Sequence, residues 1–357
     1  MTVLWVIGNG FDLHHGLKST YLDFSTWLHE EAGLLPGSCE RVLKSGCAGV
    51  FCQEWIAVPK ITAILENDRG CDVAAAVPFI CRIISSAHTK TSAWSDLETN
   101  LAGLEFSSIF DEVEPVTLHG EVKEWRTAYL KEDIQVEVEE ALGLLPKFFR
   151  EWVRSALDVS ELECCPGFRA AVAACPQQFL TFNYTTTLQD VYGISDAEVC
   201  HVHGQANRAG SELRFGHSQE PRTVVDGYEG DWSKEAEYAV DQALKKQLNV
   251  KALDGYKDAG ISVIVFFGFG FGSEDLDYVK KLAEVCGPEI PVAILGSEGR
   301  IEGYFSETEP HLEPLWGKPV KLVLEDSELA AKLRVLSRGR GKTMALPFDW
   351  TTENPET

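Results

Sequence analysis

The chain opens with an apolar run that ends in two glycines around a single short polar residue. Residues 3–7 read Val-Leu-Trp-Val-Ile, and Gly-Asn-Gly-Phe-Asp follows at positions 8–12. This pattern predicts a buried β-strand that turns tightly into a helix. Such a turn lets the backbone approach a phosphate, which the helix amides then face. The third glycine of the dinucleotide fingerprint is missing, so a turn without a ligand is the alternative interpretation.

Length and composition indicate a globular protein with room for one large domain and an insertion. The 357 residues are 45% hydrophobic and 24% charged, as in ordinary globular domains. The sequence has no N-terminal signal and no apolar run near the roughly 20 residues of a membrane span. We therefore expect a cytoplasmic protein without a membrane anchor. Ten scattered cysteines without a Cys-x-x-Cys pair predict reduced core thiols rather than a zinc site.

The net charge of −23 argues against strong non-specific binding to nucleic acid, which depends largely on Lys and Arg. A small basic patch lies near the C-terminus, where a solvated tail is the simpler explanation; it comprises Arg334, Arg338, Arg340 and Lys342. An RNA-directed nuclease would need a basic channel and a cluster of metal-binding carboxylates, and it is kept as an alternative.

Further strand-like runs alternate with helical ones along the rest of the chain. The strand candidates are residues 178–183, 199–204, 213–217, 261–267, 291–295 and 320–324. Helices are predicted at 184–192 and 274–285. Apolar strands that alternate with helices predict an α/β fold with a parallel, doubly wound, Rossmann-like sheet.

Helical periodicity dominates the part of the chain between the first strand and the others. It is clearest at residues 20–32, 53–67, 73–87 and 135–157. We therefore predict a nucleotide-binding domain built from residues 1–21 and 176–326. Residues 22–175 would form a large helical insertion, and residues 327–357 a C-terminal helix and tail.

Four of the predicted strand ends carry polar residues and glycines, at positions 8–12, 182–185, 201–204 and 268–275. Each has a structural explanation when taken alone. Asn183 could cap a helix, His203 could end a strand, and Gly268 and Gly270 could simply form turns. Because ligands of open parallel sheets bind at the carboxyl ends of the strands, the four segments together predict one shared site.

These motifs resemble those of the AbiH-type bacteriophage abortive-infection proteins. The resemblance covers roughly residues 1–285 and rests on the segments 8–12, 15–24, 94–98, 182–185, 203–204 and 268–275. Two positions differ from the usual family pattern. Lys18 is found where the family usually has Pro, and Gly268-Phe269-Gly270 is found where the family often has Gly-His-Ser. The resemblance implies an antiviral effector.

A more distant resemblance is to the sirtuin-like NAD-binding proteins. It implies that Gly8 and Gly10 lie against the pyrophosphate, Asn183 near the nicotinamide ribose, and His203 at the position of the base. The zinc-binding cysteines are missing, which argues against protein deacetylation. Thr185 stands where an aspartate is expected.

Cleavage of the N-glycosidic bond of NAD suits these residues. Nicotinamide is already a cationic leaving group, and the barrier lies in forming an oxocarbenium-like ribose that dipoles and carboxylates stabilise. Asn183 can hold a ribose hydroxyl, Asp12 can support the cation, and His203 can accept a proton. These three are the predicted catalytic residues. The predicted cofactor-binding residues are Gly8, Asn9, Gly10, Phe11, Tyr21, Tyr184, Thr185, Gly204, Gly268, Gly270, Ser273 and Asp275.

We therefore expect an antiviral effector that binds NAD or a related nucleotide and cleaves its glycosidic bond. A nucleotide-sensing defence protein without turnover is the main alternative. A metal is not expected, because His14 and His15 lack further ligands at a suitable spacing. A homo-oligomer and a phage-derived trigger are left open as partners.

Overall fold

The computed structural model of this protein describes residues 2–31, 80–81, 84, 117–118, 120–217, 238 and 242–338. The chain divides into two compact units. The first contains Met1–Lys18, Asp158–Gln205 and Asn249–Thr357, and the second contains Ser19–Leu157 and Ala206–Leu248. The predicted helix at 53–67, the motif at 94–98, and Arg340 and Lys342 lie outside the described residues. Of the run 73–87, only residues 80, 81 and 84 are described, and they are helical.

A six-stranded parallel sheet forms the centre of the first unit, which confirms the predicted fold class. Its strands, numbered along the chain, are β1 (Thr2–Ile7), β2 (Gln177–Thr181), β3 (Val199–His201), β4 (Ile261–Phe267), β5 (Val292–Gly296) and β6 (Val320–Val323). The strand order is β3-β2-β1-β4-β5-β6. Every neighbouring pair is parallel, and Trp5 of β1 lies opposite Phe179 of β2 and Val265 of β4.

The strand order reverses between β1 and β4. From β1 the chain first builds the sheet outward through β2 and β3, and then returns to the other side of β1 for the remaining strands. This is the order of doubly wound dinucleotide-binding sheets, in which ligands bind at the carboxyl ends of the strands beside the reversal. All seven residues of β4 are buried, as a central strand covered on both faces requires.

In the described part of the first unit, six α-helices accompany the sheet. They are α1 (Asn9–His14), α2 (Pro166–Val172), α3 (Thr187–Tyr192), α4 (Leu276–Cys286), α5 (Ile301–Trp316) and α6 (Leu329–Arg338). Since α3 begins only at Thr187, Asn183 does not cap it, and the structural alternative considered for Asn183 is wrong. The helix expected within residues 327–357 is α6.

An aromatic cluster joins α1 and α2 to the sheet. The ring of Phe168 in α2 lies 5.1 Å from Trp5 and 5.1 Å from Phe11, and Phe11 lies 5.4 Å from Phe267. All four side chains are buried. Residues 158–175, which the sequence analysis assigned to the insertion, therefore pack with the sheet. They come directly before β2 in the sequence and share the core of the sheet.

The described part of the second unit is mostly helical. Its helices are Tyr21–Glu31, Glu124–Gly143 and Leu145–Ala156, and a short hairpin joins Thr117–Leu118 to Glu121–Val122. The single helical run predicted at 135–157 is divided at Leu144. Phe24, Phe149 and Trp152 pack together with ring centroids 5.3–5.5 Å apart. None of the helices in the described part of the chain is long and apolar enough to cross a bilayer.

The strand predicted at 213–217 is not formed. Only an isolated bridge joins His217 to Lys245. Gly216 has a φ of 127°, which is outside the range of regular strands. A Cβ atom on Gly216 would meet the carbonyl oxygen of Leu244. A local turn against that carbonyl therefore replaces the expected strand.

Three glycines bring the turn after β1 into backbone contact with the loop after β4. Gly10 N–H donates to the carbonyl of Gly268 over 2.8 Å. A Cβ atom would lie 2.5 Å from the Gly268 oxygen if added to Gly8, and 2.6 Å from the Gly268 Cα if added to Gly10. Close packing of two backbone segments thus requires these glycines whether or not a phosphate binds. The Gly10 N–H, which was expected to face an anion, donates its hydrogen bond to the carbonyl of Gly268.

Replacing Gly268 with alanine should destabilise the fold by about 3 kcal/mol or more. The residue has a φ of 64°, and its Cβ would lie 2.3 Å from the amide nitrogen of Phe11, so left-handed strain adds to a steric clash. Gly270 in the same loop is the matched control. A Cβ there meets nothing within 4 Å, and Gly270→Ala should change stability by about 0.5 kcal/mol at most. Urea unfolding of both variants measures their loss of stability. An equal loss in the two variants would contradict the importance of the close contact at Gly268.

Candidate functional site

Four chain segments meet at the carboxyl ends of β1, β2, β3 and β4. The loop after β4 joins the four segments, because it contacts the segments that follow β1, β2 and β3. Its Gly268 packs against the turn after β1, and its Phe269 ring lies 4.5 Å from Phe182 after β2. Its Asp275 reaches His203 after β3. The loop therefore crosses two strand ends and brings the predicted segments into one site.

Asp12 is a buried carboxyl within this site, with only 1% of its surface exposed. The hydroxyl of Thr185 donates to Oδ2 over 2.6 Å, and the hydroxyl of Thr187 donates to Oδ1 over 2.7 Å. The side chain of Asn183 also favours the ionised form of this carboxyl. Burial raises the pKa of Asp12 to about 6, although the hydrogen bonds partly oppose the rise. The carboxyl thus joins the segment after β1 to the segment after β2.

His203 and Asp275 form the second polar group. Nε2 of His203 lies 3.1 Å from Oδ1 of Asp275. His203 is 3% exposed, whereas the Asp275 side chain keeps 19% of its surface in solvent. Three aromatic rings surround the imidazole, with centroids 5.2–5.9 Å away: Phe182, Tyr184 and Tyr278. The two atoms are at ion-pair distance but are not aligned as a hydrogen bond, so Asp275 acts on the imidazole electrostatically, in surroundings where water screens the interaction poorly.

The backbone of Asn183 is held by neighbours on two strands. Its N–H donates to the hydroxyl of Thr181 over 3.1 Å, and Nδ1 of His201 donates to its carbonyl over 3.0 Å. The other ring nitrogen of His201 contacts Gln189 at 3.0 Å. The backbone of Asn183 is therefore anchored to both β2 and β3.

The loop after β4 has two anchors beyond the glycine contact. Phe269 N–H donates to the hydroxyl of Tyr304 over 2.9 Å, and that hydroxyl donates to the Phe269 carbonyl over 3.1 Å. Phe271 has a φ of 50°, which is costly for a residue with a side chain. Its ring stacks on His311 with centroids 5.4 Å apart. These contacts hold the backbone that leads to Asp275.

Several site residues were not predicted from the sequence. Thr187, His201 and Tyr304 all hold predicted site residues in place. The run of three threonines at 185–187 is a local signal for the first of them. The others lie in ordinary strand and helix patterns, which do not reveal their distant partners.

Some residues that were predicted to contact a ligand lie elsewhere in the structure or interact with other parts of the protein. Tyr21 belongs to the second unit, where its hydroxyl donates to the carbonyl of Ile84. Phe11 is fully buried in the aromatic cluster. Gly204 N–H donates to the His201 carbonyl over 3.2 Å, and the Ser273 hydroxyl donates to Glu274 over 3.2 Å. Asn9 and Gly270 are at least partly exposed.

His15 has a structural role in the fold. Nδ1 donates to the Phe11 carbonyl over 2.8 Å, and Nε2 hydrogen bonds to the hydroxyl of Tyr192. Burial lowers the pKa of His15, so the neutral ring is favoured. Within the described residues, no three His, Cys, Asp or Glu side chains are grouped to hold a metal ion.

Replacing Asp12 with asparagine should remove a pH-dependent part of the stability. The folded protein binds this proton more tightly than the unfolded chain, because the pKa rises from 3.8 to about 6 on folding. The resulting stabilisation is complete below about pH 4 and is lost as the pH rises through 6. Relative to Asp12→Asn, the native protein should therefore lose about 3 kcal/mol between pH 4 and pH 7.

Urea unfolding at a series of pH values measures this difference. Asp277→Asn, at an exposed aspartate near the same loop, should run parallel to the native protein. A constant difference between the native protein and Asp12→Asn across the range would show that Asp12 does not titrate in this way.

The four segments of the site were compared with known protein families as part of the whole sequence. The family described as Bacteriophage abortive infection AbiH matches residues 4–293, a range that contains all four segments of the site. No protein with a curated description matches the chain significantly. The family points to a role in abortive infection, a defence of bacteria against phages. The match covers most of the sequence, and the chain belongs to the AbiH family of bacteriophage abortive infection proteins.

Proposed function

We propose that this protein acts in phage defence by binding NAD at the carboxyl edge of the sheet and cleaving its N-glycosidic bond. The observation that carries the proposal is the pair formed by the buried His203 and the partly exposed Asp275, with the Tyr184 ring 5.7 Å from the imidazole. Tyr184 and Asn183 follow β2, His203 follows β3, and Asp275 follows β4 on the other side of the reversal in strand order. Such sheets bind nucleotides at the carboxyl ends of the strands beside that reversal.

His203 is the proton acceptor in this proposal. A carboxylate 3.1 Å from Nε2 favours the tautomer that carries its hydrogen on Nε2, so Nδ1 has the lone pair. Asp275 also stabilises the imidazolium that forms when Nδ1 takes a proton. Such an arrangement suits general base catalysis near neutral pH.

The reaction needs no proton on the leaving group. The bond between the ribose C1′ and the nicotinamide nitrogen breaks, and its electron pair neutralises the cationic nicotinamide. A water oxygen bonds to C1′ and its proton passes to His203, which leaves nicotinamide and ADP-ribose as products. Asn183 holds a ribose hydroxyl, and the half-buried ring of Tyr184 offers an apolar face beside the reacting sugar. Fixed dipoles at such a centre stabilise the oxocarbenium-like transition state.

Replacing His203 with alanine should lower nicotinamide release about a hundredfold or more, the usual contribution of a general base. The affinity for NAD should change little, because the loss falls mainly on the transition state. Nicotinamide is measured by chromatography, and NAD affinity by calorimetry, with and without an extract of phage-infected cells as a trigger. Full activity in His203→Ala would exclude the proposed base.

A matched pair of aspartates separates the orienting role of Asp275 from a general effect of charge. Asp275→Asn should slow release strongly, because the neutral amide no longer selects the tautomer. Asp277→Asn removes the same charge two residues away at an exposed position and should keep native activity. NAD binding without nicotinamide release by the native protein would favour the sensing alternative, and a lack of NAD binding would reject the nucleotide site.

A further inference from the structure

Exposed apolar side chains are concentrated in one short segment of the second unit. Nine large hydrophobic residues in the described part of the chain are exposed, and five of them lie between positions 118 and 136: Leu118, Val122, Trp125, Tyr129 and Val136. Trp125 keeps 58% of its surface in solvent, and Tyr129 keeps 62%. Single exposed hydrophobic residues are common, but a group of them on one element marks an interaction surface.

Three of these residues share one face of the helix Glu124–Gly143. Trp125, Tyr129 and Val136 are separated by four and seven positions, which is the spacing of side chains on a single helix face. The Trp125 and Tyr129 rings meet edge to face with centroids 6.1 Å apart. The guanidinium of Arg126 lies over the Trp125 ring, 5.0 Å from its centre. Tryptophan, tyrosine and arginine are enriched at the centres of protein interfaces.

The exposed residues around Tyr129 are complementary to themselves in the reverse direction. Arg126 lies three positions before Tyr129, and Glu132 lies three positions after it. Trp125 lies four positions before Tyr129, and Asp133 lies four positions after it. Offsets of three and four positions return to the same face of a helix. Every one of these residues is exposed, so the face carries a cation and an aromatic ring on one side of Tyr129 and two carboxylates on the other.

A second copy that packs antiparallel, with a two-fold axis at Tyr129, brings complementary residues together. A two-fold interface places each residue opposite the one that lies equally far beyond the axis. Arg126 of each copy then faces Glu132 of the other. Trp125, whose indole N–H is a donor, faces the carboxylate of Asp133. The two Tyr129 rings meet on the axis itself.

The apolar residues at the ends of this face fit the same arrangement. Val136 lies seven positions after Tyr129, and Val122, at the end of the hairpin, lies seven positions before it. Both valines are exposed, and an antiparallel pair covers one with the other. A parallel pair would instead set Arg126 against Arg126 and Glu132 against Glu132, and like charges repel. Charge complementarity therefore selects the antiparallel pair.

We propose that the helix Glu124–Gly143 is a docking surface for a second copy of this chain, packed antiparallel about a two-fold axis at Tyr129. The helix has 20 residues and therefore spans about 30 Å. One helix face of this length is small beside a standard interface, which buries roughly 800 Å² on each partner. The dimer is therefore reversible, and its population rises with the protein concentration. Its formation depends neither on a nucleotide nor on the cleavage of one.

Sedimentation velocity of the full-length protein over a series of concentrations measures this equilibrium. The native protein should pass from monomer to dimer as its concentration rises. Tyr129→Ala removes the ring on the axis and should weaken dimerisation about tenfold or more. Tyr238→Ala is the matched control, because it removes another exposed tyrosine and should keep the native dissociation constant. Circular dichroism establishes that each variant is folded.

An exchange of charges tests the antiparallel register. Arg126→Glu sets carboxylates against each other across the interface, and Glu132→Arg sets guanidinium groups against each other. Each single variant should weaken the dimer about fivefold or more, because like charges replace opposite ones in two symmetric pairs. The variant with both substitutions restores opposite charges and should dimerise within about twofold of the native protein. The single variants change the net charge in opposite directions, so a general effect of charge would not weaken both.

Three outcomes would overturn the proposal. A native protein that stays monomeric at all concentrations leaves this helix face to a different partner or to another segment of the chain. A dimer that Tyr129→Ala leaves unchanged is formed through another surface. If the variant with both substitutions remains as weak as the single variants, Arg126 does not face Glu132 and the antiparallel register is wrong.

Discussion

The backbone contact between Gly8, Gly10 and Gly268 is the constraint on which the site depends. It brings the turn after β1 and the loop after β4 closer than any side chain would permit. From that contact the loop continues across the end of β2 and delivers Asp275 to His203. If these backbone segments were further apart, the loop after β4 would begin in a different position. The glycines therefore serve the site by placing other residues, whatever their relation to a phosphate.

Polar groups in the site are buried at a cost to stability, as is common where function requires them. Asp12 lies among threonine hydroxyls rather than beside a cation, and burial raises the pKa of its carboxyl to about 6. His203 lies among aromatic rings, and its Nε2 is 3.1 Å from a carboxylate oxygen of Asp275. In both groups the low polarity of the surroundings strengthens the remaining interactions and so fixes the positions of the side chains.

Much of the fold could be predicted from local patterns. The continuous apolar run of β4 and the glycines after β1 and β4 indicate buried parallel strands that end in turns. Polar residues at strand ends likewise pointed to Asn183 and His203. The segment 213–217 was also predicted to be a short strand but forms none, because Gly216 turns against the carbonyl of Leu244. Residues 158–175 have a helical pattern, and only their packing on Trp5 and Phe11 shows that they belong with the sheet.

The sequence by itself determined the type of most strands and helices, the membership in the AbiH family and the strand ends that carry chemistry. Only the tertiary structure decided which of these residues meet. Asp12 and Thr185 are 173 positions apart, and His203 meets Asp275 because the loop after β4 crosses two other strand ends. Local patterns record burial and backbone preference over a few residues. Pairing over such distances follows from the order of strands in the sheet, which no single segment encodes.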